Sequence, residues 1–235
     1  MTTAECAVKL VEHGWVVGLG SGHAASAFTS ALAARVAAGL QVRGVPTSLA
    51  TARLAEGLGI PLTTLDDVRA VDLTVDGADE VDPALNLIKG RGGALVREKI
   101  VAASSRRLIV LVGAEKLVST LGSRGFLPVE VVPFGLALCR QRLFEMGYPA
   151  TVRREKGLIF VSDNGNYILD CQIMAINEPT KLESAIQSIP GVVGTGLFLG
   201  MADTVLVQEG EQVHILGRTP NLVTGAALQG AEVSP

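Results

Sequence analysis

Short apolar runs alternate with longer Ala- and Leu-rich segments through the first half of the chain. The apolar runs predict strands at Trp15–Leu19, Gln41–Val45, Val71–Val75 and Arg107–Val112. The longer segments predict helices at 4–13, Ala24–Ala38, Leu49–Leu58 and Ala94–Ala103. Strands that alternate with helices are typical of βαβ units, so the pattern predicts an α/β fold with an open, mostly parallel, Rossmann-like sheet.

The pattern changes after residue 127, where helices become fewer and turn residues more frequent. The elements predicted there are extended chain at Pro128–Pro133, a helix at Leu136–Met146, strands at Leu158–Val161 and Tyr167–Asp170 around a hairpin-like turn at Ser162–Asn166, and a helix at Lys181–Ser188. We therefore predict a small inserted α+β (ferredoxin-like) module at 128–199 that serves as a lid or oligomerisation domain. Strands at Met201–Val207 and Gln212–Leu216 return to a Rossmann-like catalytic domain of 1–127 plus 200–235.

Composition narrows the function classes. The chain has 235 residues, of which 48% are hydrophobic and only 4% aromatic, so its core is predicted to be aliphatic. The net charge of -3 leaves no basic stripe for nucleic acid, and no apolar run reaches the roughly 20 residues that cross a bilayer. Cys6, Cys139 and Cys171 are too scattered to suggest a disulfide framework, and the histidines lack metal-ligand spacing. We expect a soluble cytoplasmic protein with no metal, no cofactor, and neither nucleic acid nor membrane as a partner.

Reactive side chains concentrate between residues 76 and 98. Asp76 and Asp79 follow a predicted strand, while Lys89 and Glu98 enclose the turn formed by Gly90, Arg91, Gly92 and Gly93. Strand ends and helix starts are common places for chemistry in α/β proteins. Carboxylates beside an ammonium can move protons without a metal, although a solvated acidic loop and a solvated helix face are the ordinary environments of such residues.

A second Gly-rich turn lies between the first predicted strand and helix. It comprises Gly20, Ser21, Gly22, His23 and Ala24. Backbone N–H groups at such a turn can bind an anion, but His23 occupies the last glycine position of the dinucleotide-binding pattern, and no Gly-Lys-Ser/Thr follows. The turn therefore favours a phosphate or another small anion over NAD, and a plain tight turn explains it equally well.

Together these motifs resemble the A-type ribose-5-phosphate isomerase family over nearly the whole chain. The matching blocks are Gly18–Gly22, Pro46–Ser48, Asp76–Asp82, Ile88–Ile100, Pro128–Pro133, Ser162–Asn166, Ile168–Asp170, Ile189–Val193 and Gly196–Phe198. Members of this family interconvert ribose 5-phosphate and ribulose 5-phosphate in the pentose phosphate pathway without a metal. The resemblance also implies a homodimer or homotetramer.

The resemblance implies a role for each reactive residue. Glu98 would be the general base that moves a proton between C1 and C2, and Lys89 would stabilise the enediolate oxygen. Asp76 would assist ring opening, and Asp79 would orient the sugar and handle hydroxyl protons. The substrate-binding positions would be Gly20, Ser21, Gly22, His23, Ala24, Gly90, Arg91, Gly92, Gly93 and Lys116, the last of these near the phosphate.

The chain departs from the family pattern at the phosphate site. The first loop is commonly G-T-G-S-T in the family, whereas His23 and Ala24 replace two of its hydroxyl positions, and Arg91 replaces the second glycine of K-G-G-G. A lysine of a longer N-terminal helix also has no counterpart. Three explanations stay open: His23 and Arg91 supply substitute donors, which is our working hypothesis; the N-terminus is incomplete; or the substrate is a related pentose derivative.

Other function classes predict different behaviour. CoA transferases share a similar fold and use a glutamate nucleophile, so they would show thiol-ester exchange. A non-catalytic sugar-phosphate sensor would bind phosphate esters without turnover. A scaffolding subunit would leave the reactive side chains between residues 76 and 98 unexplained.

Overall fold

The computed structural model describes residues 1–217 and, for the backbone alone, 232–233. The chain forms two compact units. The first comprises Met1–Ala78, Arg97–Lys116 and the described residues from Gly200 onward, and the second comprises Asp79–Val96 and Leu117–Leu199. Within the predicted segment 200–235, residues 218–231 and 234–235 lie outside the described residues.

The first unit contains a seven-stranded sheet with a mostly parallel arrangement. Its strands are β1 (Val16–Leu19), β2 (Arg43–Pro46), β3 (Leu73–Gly77), β6 (Leu108–Gly113), β14 (Thr204–Glu209), β15 (Gln212–Gly217) and β16 (Glu232–Val233). The strand order is β16-β15-β14-β6-β3-β1-β2, and every neighbouring pair is parallel except β14 with β15. The predicted α/β class with a mostly parallel central sheet is confirmed.

An aliphatic core explains why these segments are strands. All four residues of β1 are buried, as are five of the six residues of β6, which is the burial expected for parallel strands covered on both faces. The helices that belong wholly or mainly to this unit are α1 (Thr3–Lys9), α2 (His23–Ala37), α3 (Leu49–Gly57) and α4 (Leu95–Ala103). The prediction of a helix to residue 13 is wrong, because the helical hydrogen bonds end at Leu10 and Gly14 turns the chain with φ +83° towards β1.

The second unit is built around a four-stranded antiparallel sheet. Its elements in chain order are β7 (Phe126–Val131), α5 (Leu136–Glu145), β8 (Ala150–Val152), β11 (Tyr167–Gln172), α6 (Pro179–Gln187) and β12 (Val192–Thr195). The order β12-β7-β11-β8 and this βαββαβ connection are those of a ferredoxin-like module. A three-stranded sheet, ordered β13-β5-β4, consists of β4 (Glu80–Val81), β5 (Leu87–Ile88) and β13 (Leu197–Phe198).

The hairpin in this unit lies before the position predicted from the sequence. β9 (Arg154–Glu155) pairs with β10 (Leu158–Ile159) across Lys156 and Gly157, whose φ angles of +50° and +84° are those of a tight hairpin turn. The polar turn at 162–166 closes only a single bridge, between Val161 and Tyr167. None of the described helices combines the length and apolar character needed to cross a bilayer.

Candidate active site

The strand order of the first unit indicates a ligand site at the carboxyl ends of its parallel strands. The five parallel strands β2-β1-β3-β6-β14 are neighbours in this spatial order. The chain therefore leaves β1 for a strand on one side of it and leaves β3 for a strand on the other side, which makes β1 and β3 the switch point of the sheet. Ligands of open α/β sheets bind outside the carboxyl ends of the strands at such a switch point. Gly20 follows β1, Asp76 is the penultimate residue of β3, and Lys116 follows β6. All three lie at the carboxyl ends of these parallel strands.

Asp76 is held at this edge by backbone donors. Its side chain is buried, and Oδ1 accepts hydrogen bonds from Ser21 N at 3.2 Å and Gly77 N at 2.7 Å. Gly20 allows this approach, because a Cβ at that position would lie 2.3 Å from Asp76 Oδ1. The structure therefore brings the predicted residues Gly20, Ser21 and Asp76 together.

The Ser21 side chain belongs to a cluster of hydroxyl groups that the sequence analysis did not identify. Its Oγ lies 2.8 Å from Thr47 Oγ1, 2.8 Å from Ser48 Oγ and 3.2 Å from Thr51 Oγ1. Thr51 in turn donates to Gly20 O at 2.9 Å. The cluster fixes the loop after β1, and its signal in the sequence was the hydroxyl-rich start of α3.

The loop leads into α2, whose N-terminus carries the partial positive charge of a helix start. Gly22 is the N-cap with φ +88°, no side chain caps the helix, and no acidic residue lies in the first turn. Exposed His23 and half-buried Ala24 begin the helix. A helix N-terminus of this kind favours an anion.

Glu98 lies in α4 and is 4% exposed. A solvated helix face, the ordinary environment considered for this residue, is therefore wrong. A buried carboxylate has lost much of its hydration, which is the condition under which it becomes an effective base.

In the second unit, Lys89 directly follows β5 and is also buried. Its Nζ lies 5.4 Å from the centroid of the Phe198 ring, and its backbone N–H donates to Gly196 O at 2.9 Å. A Cβ on Gly196 would lie 2.3 Å from Lys89 O, so glycine is needed for the two segments to approach. The backbone before the Gly-rich turn is thus firmly placed.

Asp79 and Arg91 contact each other within this unit. Arg91 N donates to Asp79 Oδ2 at 3.1 Å, and Arg91 Nε lies 3.7 Å from Asp79 Oδ1. The Arg91 guanidinium also donates to Arg124 O at 3.2 Å and lies 5.2 Å from the Phe126 ring centroid. Arg91 therefore orients a predicted catalytic carboxylate, while its role towards phosphate stays a prediction.

Glu80 supports the neighbouring loop and was not singled out from the sequence. It is buried and accepts hydrogen bonds from Gly122 N at 2.6 Å and Arg124 N at 2.7 Å. These bonds place Arg124 O, which is the acceptor for Arg91. In the sequence, the available indication was that Glu80 stands directly before the apolar residue Val81, with which it forms β4.

The glycine turn itself has two positions that need glycine. Gly90 and Gly93 have φ angles of +105° and +81°, and Gly93 N donates to Gly90 O at 3.0 Å. A Cβ on Gly93 would lie 2.4 Å from Phe160 Cζ, whereas Gly92 is exposed with open space around it. The turn leads directly into α4.

The described residues contain neither a metal-binding cluster nor an exposed cysteine. No group of three His, Cys, Asp or Glu residues that could hold a metal occurs in the part of the chain that the structure describes. The three cysteines are free and buried, and burial raises the pKa of the Cys171 thiol to about 12.

Comparison with known proteins identifies the family. The family model described as "Ribose 5-phosphate isomerase A (phosphoriboisomerase A)" matches residues 43–212. Proteins named ribose-5-phosphate isomerase A from Gloeobacter violaceus and Bradyrhizobium diazoefficiens are 54% and 49% identical to this chain, over 92% and 90% of it and 94% and 92% of their own lengths.

Solved structures give the same result. Ribose 5-phosphate isomerase A from Methanocaldococcus jannaschii superposes with a TM-score of 0.87 at 42% identity, covering 92% of this chain and 96% of that one. A D-ribose-5-phosphate isomerase in complex with phospho-erythronic acid superposes with a TM-score of 0.89 at 40% identity and the same coverage. With a family model that matches most of its length and relatives at about half identity, this chain belongs to the ribose 5-phosphate isomerase A family.

Proposed function

We propose that this chain interconverts D-ribose 5-phosphate and D-ribulose 5-phosphate, with a general role in the pentose phosphate pathway. The observation that carries the proposal is its 54% identity, over 92% of the chain, to a protein named for this activity. The chain also keeps the four reactive residues of the family pattern, Asp76, Asp79, Lys89 and Glu98.

Glu98 is the proposed general base. In the open-chain sugar it takes the proton from C2, and the electron pair moves through C1 to leave a negative charge on the C1 oxygen. The same carboxylic acid then returns the proton to C1, and transfer of the C2 hydroxyl proton to the C1 oxygen completes the ketose. The reaction is redox-neutral, and burial shields the Glu98 carboxylate from bulk water during the proton transfer.

Lys89 is the proposed stabiliser of the enediolate, and Asp79 is the proposed residue that orients the sugar and handles hydroxyl protons. A C2 proton is acidic enough only when the neighbouring oxyanion is stabilised, and a buried ammonium supplies that charge strongly. The bonds from Arg91 fix the Asp79 carboxylate, which is thereby suited to orienting sugar hydroxyl groups and exchanging their protons.

Asp76 is the proposed acid–base group for ring opening. It accepts the proton of the C1 hydroxyl of the furanose as the bond between C1 and the ring oxygen breaks, and it then donates that proton to the ring oxygen, which yields the aldehyde and a C4 hydroxyl. The N–H groups of Ser21 and Gly77 hold the carboxylate in place for this step.

The anion-favouring start of α2 is the proposed phosphate site. Gly20, Ser21, Gly22, His23 and Ala24 form it together with Lys116, and Gly90, Arg91, Gly92 and Gly93 complete the substrate contacts in our proposal. The relative solved with phospho-erythronic acid binds a compound that carries a phosphate, which supports this ligand class.

The remaining proposals concern organisation. We propose a catalytic domain at 1–127 plus 200–235, a lid or oligomerisation domain at 128–199, a homodimer or homotetramer, and a cytoplasmic location. Equilibrium sedimentation of the purified chain tests the oligomeric state.

A coupled assay with ribose 5-phosphate in the presence of EDTA tests the function, run beside Glu98→Gln. We expect turnover that survives EDTA and falls about 100- to 10,000-fold in the variant, the range typical of a lost general base. Glu56→Gln is the matched control, because Glu56 is an exposed glutamate of α3. In deuterium oxide, solvent deuterium should enter C1 of the ketose to the extent that the Glu98 carboxylic acid exchanges its proton with solvent before returning it.

The outcomes separate the alternatives. Full activity in Glu98→Gln would refute the assigned base. A folded wild-type protein that binds ribose 5-phosphate without turnover would instead identify a sensor, and turnover restricted to another pentose would identify a different substrate.

A further inference from the structure

The carbonyl groups of the Gly-rich turn are bound by a residue that has no assigned role. Arg153 lies between β8 and β9, and its side chain is only 11% exposed. Its Nη1 donates to Gly90 O at 2.8 Å and to Arg91 O at 2.9 Å. One guanidinium nitrogen thus bridges two consecutive peptide groups immediately after Lys89.

Asp170 on β11 fixes the other side of this guanidinium. Arg153 Nε donates to Asp170 Oδ2 at 3.0 Å, and Nη2 donates to Asp170 Oδ1. The Phe126 and Phe160 ring centroids lie 5.8 and 6.0 Å from the guanidinium carbon. Because the carboxylate neutralises the arginine at close range, Arg153 supplies geometry to the turn rather than charge.

The geometry has a direct consequence for the N–H groups of the turn. In a trans peptide the C=O and N–H bonds of one planar unit point in opposite directions. The Gly90 carbonyl belongs to the same unit as Arg91 N–H, and this N–H does point to Asp79. The Arg91 carbonyl belongs to the same unit as the N–H of exposed Gly92, which is therefore directed away from Arg153.

We propose that Arg153, held by Asp170, is a positioning residue for the isomerisation. It fixes two successive peptide units, so that Arg91 N–H stays on Asp79 and Gly92 N–H is presented to a sugar oxygen. The inference rests on the proposed function. A guanidinium is required, because a lysine ammonium cannot bind two carbonyls and both carboxylate oxygens in one plane.

Steady-state kinetics of Arg153→Ala, Arg153→Lys and Asp170→Asn test the proposal. We expect kcat to fall roughly 100-fold in Arg153→Ala, the scale of a displaced reacting group, with little change in KM because the Arg153 guanidinium bonds the turn and Asp170 and acts on the sugar only through the turn. Arg153→Lys and Asp170→Asn should fall less. Methylguanidine added to Arg153→Ala should restore part of kcat.

Arg154 provides the matched control. It is the next residue, it is exposed, and its guanidinium donates to Gly157 O at 2.9 Å within its own hairpin. Arg154→Ala and Arg154→Lys should keep wild-type kcat. Amide hydrogen exchange adds a readout independent of turnover: Arg91 N–H should lose protection in Arg153→Lys but not in Arg154→Lys.

Each outcome decides the proposal. Folded Arg153→Lys and Asp170→Asn with wild-type kcat and unchanged exchange at Arg91 would overturn it, as would lowered thermal stability without a change in kcat per folded molecule. If the wild type and Arg154→Ala both lacked turnover, the proposed function would be refuted, and exchange at Arg91 would still show whether Arg153 holds the turn.

Discussion

Replacing Gly20 by Ala tests whether the end of β1 must lie directly against Asp76. The added Cβ would stand 2.3 Å from Asp76 Oδ1, 2.4 Å from its Cγ and 2.6 Å from Val75 O. Two of these atoms belong to a buried carboxylate and one to the backbone of β3. Gly20 N also donates to Val75 O at 3.0 Å, so the methyl group cannot be accommodated by rotating one side chain.

The magnitude follows from the bonds that must change. Overpacking of this kind costs about 1–3 kcal/mol, and a displaced Asp76 loses a charge-assisted bond from Ser21 N or Gly77 N worth about 1.5–3 kcal/mol. The lower entropy of the unfolded alanine variant returns only about 0.4–1 kcal/mol. We therefore expect the free energy of unfolding to fall by about 2–5 kcal/mol, a large share of an ordinary domain's stability.

Urea unfolding of Gly20→Ala and Gly77→Ala measures this difference. Gly77 is the matched control, since its N–H also binds Asp76 but its added Cβ would lie 3.7 Å from Ala24 Cβ and 3.8 Å from Leu111 O. Gly77→Ala should stay within about 1 kcal/mol of wild type, because 3.4–4 Å is an ordinary contact. Equal stability and equal kcat of the two variants would refute the argued contact between β1 and Asp76.

Two further predictions concern single side chains. Burial raises the pKa of Cys171 from 9.0 to about 12, so the unfolded chain releases this proton first as pH rises. Between pH 9 and pH 12 the free energy of unfolding should therefore fall by about 1.4 kcal/mol per pH unit. Urea unfolding at pH 8 and pH 10.5 checks this, because the fall between the two pH values should be smaller in Cys171→Ala than in the wild type. His23→Ala should raise KM for ribose 5-phosphate with a smaller effect on kcat, because binding common to ground and transition states is lost; an unchanged KM would remove His23 from the phosphate site.

The central sheet could be predicted because its signal is local. β1 and β6 are buried along nearly their whole length and consist of nearly continuous aliphatic runs, whereas β3 carries Thr74 and Asp76 beside its buried aliphatic residues. Their ends were less certain. Asp76 was expected just after a strand ending at Val75, whereas it pairs with Val110 inside β3, because a polar residue at the carboxyl end can still use its backbone in the sheet.

The turn at 162–166 shows where local reasoning fails. Ser-Asp-Asn-Gly-Asn has the composition of a hairpin turn, but Ser162, Asn164 and Asn166 each donate to one oxygen of Glu130 at 2.9–3.0 Å. Glu130 lies on β7 and is fully buried. These side chains bind one oxygen of a buried carboxylate more than thirty residues away, and no property of the turn alone could reveal that partner.

The difference between local composition and folded geometry also explains why Arg91 is tolerated where the family pattern usually has glycine. In the sequence the substitution looked like a change in the phosphate site, since the backbone angles of a turn cannot be read from its composition. Within the turn at 90–93 only Gly90 and Gly93 have positive φ, so position 91 accepts an L side chain without strain. The side chain it carries is used, because its guanidinium contacts Asp79, Arg124 O and the Phe126 ring. The candidate reactive residues could therefore be proposed from the sequence, and their roles stay predictions, whereas the side chains that contact them depend on pairings that only the folded chain defines.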